Sequence, residues 1–488
     1  MRLSSLAGLV SLAALSACAA AAGPSVGPAT GSPAGPSAGA AVVAAARGAE
    51  PFLDTLQQRT FAFFWETADP QTRLVPDRWP TPSFSSVAAV GFGLTGLPIG
   101  AERGYVTRPQ AAARALQTLR FLWRAPQGPA ATGMTGHRGF YYHFLDMKTG
   151  ERFRDVELSS VDTSLLLGGV LVCREYFDGA DATETGVRAL ADSIYRRVDW
   201  TFMLARPPLI SMGWTPEHGL HDYDWRGFNE AMLVYVLALG SPTHPVQPEA
   251  WTAWTATYRW GGAPGLEHVG FAPLFGHQYS QLWIDFRGIQ DAYMRGRGID
   301  YFENSRRATL TQRAYAIANP AGWAGYSGSV WGLTASDGPV DGDFTVAGRQ
   351  RHFFTYAARG VDFTETRDDG TLAPTAAGGS IPFAPEIAIP ALQEMRRRYG
   401  DHLFGRYGFL DAFNPTLTDP SFRVQTGSIA AGVGWFDVDY LGIDQGPILA
   451  MAENYRSELI WRLMRKNPYV IAGLQRAGFT GGWLGAAR

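Results

Sequence analysis

Cysteine is nearly missing: two residues in 488, which excludes a disulfide-stapled fold and leaves stability to the core. Charge of one sign is missing as well. With 42 Lys+Arg against 44 Asp+Glu, the formal net charge is −2, which gives no electrostatic basis for binding nucleic acid or an anionic membrane surface. At 18% charged residues and 46% hydrophobic ones, the composition excludes a disordered chain. The sequence has no H-E-x-x-H, no C-x-x-C, no G-x-S-x-G elbow and no G-x-G-x-x-G behind a strand. The lone His218-Gly219-Leu220-His221 is a loop segment, so no metal and no cofactor are expected. No repeat of solenoid length is present, and no Pro/Gly/Ser-rich linker interrupts the chain beyond residue 50.

The N-terminus reads differently from the rest. Arg2 precedes an apolar stretch, Leu6 to Leu15, too short to span a membrane as a mature helix, as in a secretory signal over residues 1–18. It ends in Leu15-Ser16-Ala17-Cys18, the pattern of a bacterial lipoprotein signal with Cys18 lipidated; cleavage after one of the following alanines is the alternative. Residues 19–47 are Ala, Gly, Pro and Ser with almost no charge and are expected to form a flexible tether. These features predict a periplasmic protein, anchored to the outer membrane as a lipoprotein or else soluble or secreted. Residues 48–488 are expected to form one catalytic domain, monomeric, with Cys173 a small buried hydrophobe.

Apolar runs with helical spacing recur at Phe52–Ala68, Gln110–Trp123, Val161–Phe177, Val187–Leu204, Asn229–Leu239, Ser280–Arg295, Tyr301–Ala318, Ala384–Tyr399 and Gly446–Arg465. Pro109, Ser159, Ser160 and Asp300 supply helix starts. A strand pair is expected within residues 140–158, turning at Lys148-Thr149-Gly150. So many helices cannot bury themselves in one simple bundle. The pattern predicts an all-α double ring, six helices inside and six outside, with one small hairpin and long loops.

Acids precede the most apolar runs: Asp162, Glu230, Glu386 and Asp444. At the first turn of a buried helix, an acid is favoured by the helix dipole and faces the mouth of such a ring. Four of them, beside Gly- and aromatic-rich loops, predict an acidic funnel. Aromatics make up 13% of the chain, and rings can carry the apolar face of a pyranose. Glycoside hydrolysis needs a protonated carboxyl on one side of the scissile bond and a second carboxyl on the other. Glu230 fits the proton donor, because Asn229 can orient it and Trp225, Phe228 and Met232 enclose it. Asp162, Asp439 and Asp444 remain open as the base. Trp214, Trp225 and Trp435 are candidate sugar platforms, and Glu217 and Glu386 candidate polar contacts. A polysaccharide lyase using His277 and Tyr279, and a non-catalytic glycan-binding toroid, are the alternatives.

Four blocks carry a resemblance: MGWTPEHGLHDYDWRGFNEAMLVYVLALGSPTHPV, FGHQYSQLWIDFRGIQD, GGSIPFAPEIAIPAL and WFDVDYLGIDQGPILAMAENYRS. They resemble, in order, the bacterial glycoamylase-like family, which includes endo-β-1,2-glucanases and sophorose-releasing relatives. The resemblance implies an (α/α)6 toroid and inverting hydrolysis of an oligo- or polysaccharide, most specifically β-1,2-glucan. It implies Glu230 as the acid, Asp162 as a second acidic position, and His277, Gln278, Asp285 and Arg287 in the sugar cleft. It assigns no base.

Overall fold

A computed structural model describes residues 38–485. The helices are α1 (Ala38–Thr67), α2 (Val87–Glu102), α3 (Arg108–Arg124), α4 (Ser160–Tyr176) and α5 (Ala182–Arg197). They continue with α6 (Met232–Gly240), α7 (Glu249–Thr255), α8 (Phe275–Trp283), α9 (Ala292–Arg297) and α10 (Tyr301–Ala318). The last are α11 (Pro374–Gly378), α12 (Pro385–Tyr399), α13 (Gly442–Ser457), α14 (Leu459–Met464) and α15 (Pro468–Arg476). The signal segment, Cys18 and the tether as far as residue 37 lie outside the described residues. The helical backbone of α1 begins at Ala38, within the stretch expected to be tether. Residues from Ala49 onward form one compact unit.

Helix starts follow local chemistry. Thr107 and Gln110 close a capping box on α3, with Pro109 in its first turn. Ser159 caps α4, Asp181 caps α5, and Asp300 caps α10. The expected run 280–295 is two helices, because α8 stops at Trp283 and Asp291 caps a new start at α9. The run 446–465 is broken at Glu458, whose φ is +57°.

Helix α2 was not expected. Gly91, Gly93, Gly96, Gly100 and Pro98 mask it in the sequence, yet nearly every residue of it is buried. Its glycines allow close approach to α4. A Cβ on Gly91 would lie 2.3 Å from the Leu165 carbonyl oxygen, and one on Gly169 would lie 2.0 Å from the Gly91 carbonyl oxygen.

The helices buried on all sides pack in succession. α2 packs on α4, α4 on α6, α6 on α8, α11 on α13, and α13 back on α2. Gln278 of α8 reaches α11, its amide donating to the Ala376 carbonyl at 2.8 Å and the Ser380 hydroxyl at 2.9 Å. Amphipathic helices cover this succession, including α3, α5 and α12, together with α10, whose buried face is largely of polar and small residues. The fold is predominantly helical. No helix among the described residues is long and apolar enough to cross a membrane.

The β content exceeds the one hairpin expected. Phe140–Tyr142 and Leu158–Ser159 do pair antiparallel, but inside a five-stranded sheet with Gly136–His137, Gly213–Thr215 and Gly219–Leu220. Phe144–Leu145 pairs instead with Ser85–Ser86. Leu158–Ser159 of the five-stranded sheet runs directly into the N-terminus of α4, and Ser85–Ser86 of the separate pair runs into that of α2. Other short pairs include Arg78–Trp79 with Tyr440–Leu441, which leads into α13.

Candidate active site

Three helix N-termini carry the acids. In the first turn of α4, Asp162 is 7% exposed. The Ser159 hydroxyl donates to Asp162 Oδ2 at 2.5 Å and accepts from the Asp162 N–H at 3.1 Å, so the cap also fixes the carboxylate. Burial pushes Asp162 up, against the pull of His143 and Ser159. His143 stands between two carboxylates, with Nδ1 2.8 Å from Glu157 Oε1 and Nε2 3.5 Å from Asp162 Oδ2.

Glu230 lies in the turn just before α6. The Asn229 side-chain oxygen accepts from the Ala231 N–H at 3.0 Å. The Ser280 hydroxyl of α8 donates to the Glu230 carbonyl at 2.8 Å and accepts from the Leu233 N–H at 2.9 Å. The backbone is thus pinned on both sides, while Glu230 Oε2 is buried with no hydrogen-bond partner. Burial, with the charge of Asp162 adding to it, holds this carboxyl at about 7.

The third N-terminus, α13, brings a dense group of acids. Asp337, Asp411, Asp437, Asp439 and Asp444 are each at most 5% exposed, and Asp77 is 7% exposed. Arg78 reaches Asp337 at 2.6 Å, Asp77 at 3.4 Å and Asp439 at 3.6 Å. Asp439 also accepts from the Thr81 N–H at 2.9 Å, and Asp411 from the Asp337 N–H at 2.7 Å. Burial and neighbouring acids hold both Asp411 and Asp444 above the usual carboxylate range. One oxygen each of Asp337, Asp411 and Asp437 lies within 4.8 Å of the other two, a spacing that a hard divalent cation could bridge.

Tyr279 joins the two groups. Its hydroxyl donates to the Ile443 carbonyl at 3.2 Å, and after burial the charges of Asp444, Glu230 and Asp162 are among the causes that push its phenol up. Tyr356, 38% exposed, lies in the field of Asp444, Asp411, Asp337 and Asp77. A cavity of about 540 Å³ has Trp79, His402, Phe436, Asp437 and Tyr440 in its lining.

Several expected sugar contacts have other work in the structure. His277 is 1% exposed, bonds the Phe271 carbonyl through Nε2 at 3.0 Å, and is lowered by burial to about 3. Gln278 braces α11. Asp285 and Arg287 pair at 2.8 Å beyond the C-terminus of α8, joined by Glu458 and Arg465, rather than among the acids. Trp435 is fully buried, its indole donating to the Thr426 carbonyl at 2.7 Å. Glu386 is exposed on the amphipathic α12 and pairs with Arg306 at 2.6 Å. Trp225 is 6% exposed and donates to the Ser160 hydroxyl at 2.9 Å, bracing the start of α4. Glu217 is held by Arg152 at 2.8 and 3.0 Å, which keeps its carboxyl below the usual range. Trp214 is half-buried against His137 and Phe202. Sequence reasoning missed His143, Glu157, Asp77, Asp337, Asp411, Asp437 and Tyr356. The lone polar His143 inside the aromatic strand segment Tyr141–Phe144 was the one available signal.

Residues 222–468 match the Glycoamylase family, described as "Putative glucoamylase". A crystal structure described in the same words, from Bacteroides uniformis, is 31% identical, with a TM-score of 0.75 over 89% of this chain and 98% of that one. The endo-β-1,2-glucanase of Chitinophaga pinensis, solved with sophorotriose and glucose, is 28% identical, with a TM-score of 0.75 over 89% of this chain and 99% of that one. The exo β-1,2-glucooligosaccharide sophorohydrolase (non-reducing end) of Parabacteroides distasonis is 29% identical over 463 residues, 88% of this chain. This chain spans 58% of that relative's length. The family match lies across the Glu230 and Asp444 helices, and the B. uniformis fold covers nearly the whole compact unit: the chain belongs to the Glycoamylase family.

Proposed function

We propose that the protein is a glycoside hydrolase that cleaves β-1,2-glucan with inversion, Glu230 protonating the departing oxygen. The observation that carries this is the Glu230 carboxyl, pinned through its backbone, buried at Oε2 without a partner and holding its proton near neutrality. A carboxyl so held can deliver a proton as the bond breaks. The named activities of the C. pinensis and P. distasonis relatives support the β-1,2 linkage. On this reading the closed succession of buried helices is the inner ring of an (α/α)6 toroid.

Asp444 and Asp439 are our candidates for activating water, since both belong to the acids of the α13 N-terminus across Tyr279 from Glu230. Asp162 then shapes the acid side of the cleft. Tyr356 and the aromatic cavity containing Trp79 suit the apolar faces of glucose units. The lyase alternative is weakened, because His277 is buried and bonded to a backbone carbonyl.

The deciding experiment is incubation with linkage-defined glucans, following product mass and anomeric configuration by NMR. Sophorose or longer β-1,2 products of inverted configuration are expected. Retention, or cleavage of other linkages with β-1,2-glucan untouched, overturns the proposal. We further propose anchoring through lipidated Cys18 in the periplasm. Cys18→Ser should then move the protein from the membrane to the soluble periplasmic fraction; unchanged membrane association refutes the anchor.

A further inference from the structure

We infer that His143 is a positioning residue for the acid side of the cleft: clamped as an imidazolium between Glu157 and Asp162, it fixes Asp162 as a carboxylate, and Asp162 in turn keeps the proton on Glu230. The inference rests on Glu230 acting as the acid.

Geometry carries the first link. Both ring nitrogens face carboxylate oxygens, Nδ1 at 2.8 Å from Glu157 and Nε2 at 3.5 Å from Asp162. A neutral imidazole would set a lone pair against one of them, whereas the protonated ring offers a donor to each. The ring cannot swing away. It stacks on Phe144 with centroids 3.9 Å apart. The His143 N–H donates to the Glu157 carbonyl at 2.9 Å, and its carbonyl accepts from the Val87 N–H at 3.1 Å, so its backbone bridges the sheet and the start of α2. The charged groups acting on the ring are Glu157, Asp162 and Asp77, all acidic; together they lift it to about 9 although burial acts the other way. The charge of His221 also acts on Glu157.

The second link is Asp162. It is nearly buried, so burial favours its neutral form, and His143 and the Ser159 hydroxyl are what oppose that. The third is Glu230, on which the Asp162 charge acts to retain the proton. A neutral side chain at position 143 lets Asp162 take up a proton. Glu230 then loses its like-charged neighbour and ionises at lower pH.

Two readouts test this on the full-length protein. The first is two-bond ¹⁵N–¹H NMR of the histidine rings, with the His143 signal assigned by its loss in His143→Gln. An imidazolium at pH 7.5 is expected, and a ring found neutral there overturns the inference whether or not any glucan is cleaved. The second is the pH dependence of kcat. His143→Gln should move the alkaline limb down by about half to one pH unit and lower kcat at pH 8 about three- to tenfold, with KM nearly unchanged. A uniform loss at all pH values, with the limb in place, reduces His143 to a packing residue and refutes the inference. Should His143→Gln not fold, Glu157→Gln keeps the ring and removes one carboxylate; it should lower the ring's titration point, and an unchanged one is equally fatal. Failure of wild-type enzyme to cleave any glucan would instead count against the hydrolase reading.

Discussion

Replacing Glu230 by Gln keeps the shape and removes the transferable proton, and the structure sets what should follow. The carboxyl is held at about 7 instead of the ordinary 4.5. About half the molecules are then protonated at pH 7, about a tenth at pH 8 and about a hundredth at pH 9, so wild-type turnover should fall along that limb. Glu230→Gln should lose about 10²–10⁴-fold in kcat on β-1,2-glucan and the alkaline limb with it. An aryl glucoside with an activated leaving group, if accepted, should lose much less. The same burial has a stability signature. A carboxyl whose folded value is raised binds its proton more tightly in the native state. Its contribution is intact below about pH 4.5, declines as pH rises through the folded value near 7, and is then constant. Forcing the ionised form costs about 3 kcal/mol. Glu230→Gln should therefore match wild type in Tm at pH 4 and exceed it by about 3 °C at pH 8, for a unit of about 440 residues. Kinetics over pH 5–9 and calorimetry at the two pH values check both. Near-normal glucan turnover in Glu230→Gln, or a Tm gap that is the same at pH 4 and pH 8, would refute the reasoning.

Asp444→Asn and Asp439→Asn separate the two candidate bases: the true base should lose at least about 10²-fold in kcat on every substrate, activated or not, and equal small losses in both would remove the role from this pair. Tyr356→Ala should raise KM about three- to tenfold and leave kcat close to wild type, since a ring lost from a sugar platform removes about 1 kcal/mol; an unchanged KM removes Tyr356 from the cleft. A chelator should leave glucan turnover unchanged, because carboxyls can carry the chemistry alone; loss restored by one divalent ion would assign that ion to Asp337, Asp411 and Asp437. Gly169→Ala should destabilise the unit by several kcal/mol, measured by denaturant unfolding, because its Cβ would collide with the Gly91 carbonyl; wild-type stability would contradict the packing described for α2 and α4.

Legibility in the sequence tracked the range of the forces involved. Helix α4 could be read because its cap and its apolar run are contiguous, and Asp162 and Glu230 could be chosen because each sits just ahead of such a run. The charge of Asp162 is among the causes that raise the Glu230 carboxyl. Helix α2 was hidden because the glycines that let it approach α4 are those that argue against a helix. Asp337, Asp411 and Asp437 arrive on separate loops, and only the pairing of Arg78–Trp79 with Tyr440–Leu441 and the other long-range contacts unite them. Asp285, Arg287 and Glu386 misled because local sequence does not say which end of a helix, or which layer, a side chain occupies.

On the proposed reading, the crowd of carboxylates around Arg78 would also act as a filter on what can enter. Of its six buried aspartates, Asp77, Asp411, Asp437 and Asp444 are held above the usual carboxylate range, while Arg78 and Arg359 act within the same group, so the negative potential of this wall grows as pH rises and those acids ionise. A neutral glucan feels this only through its hydroxyl groups, which can donate to acceptor-rich walls. A polymer bearing uronate, phosphate or succinyl groups would bring like charge into the same field and be turned away, more strongly at low ionic strength than at high. On the proposed reading, the acids that would supply the chemistry would thereby also sort polysaccharides by charge before linkage is ever tested.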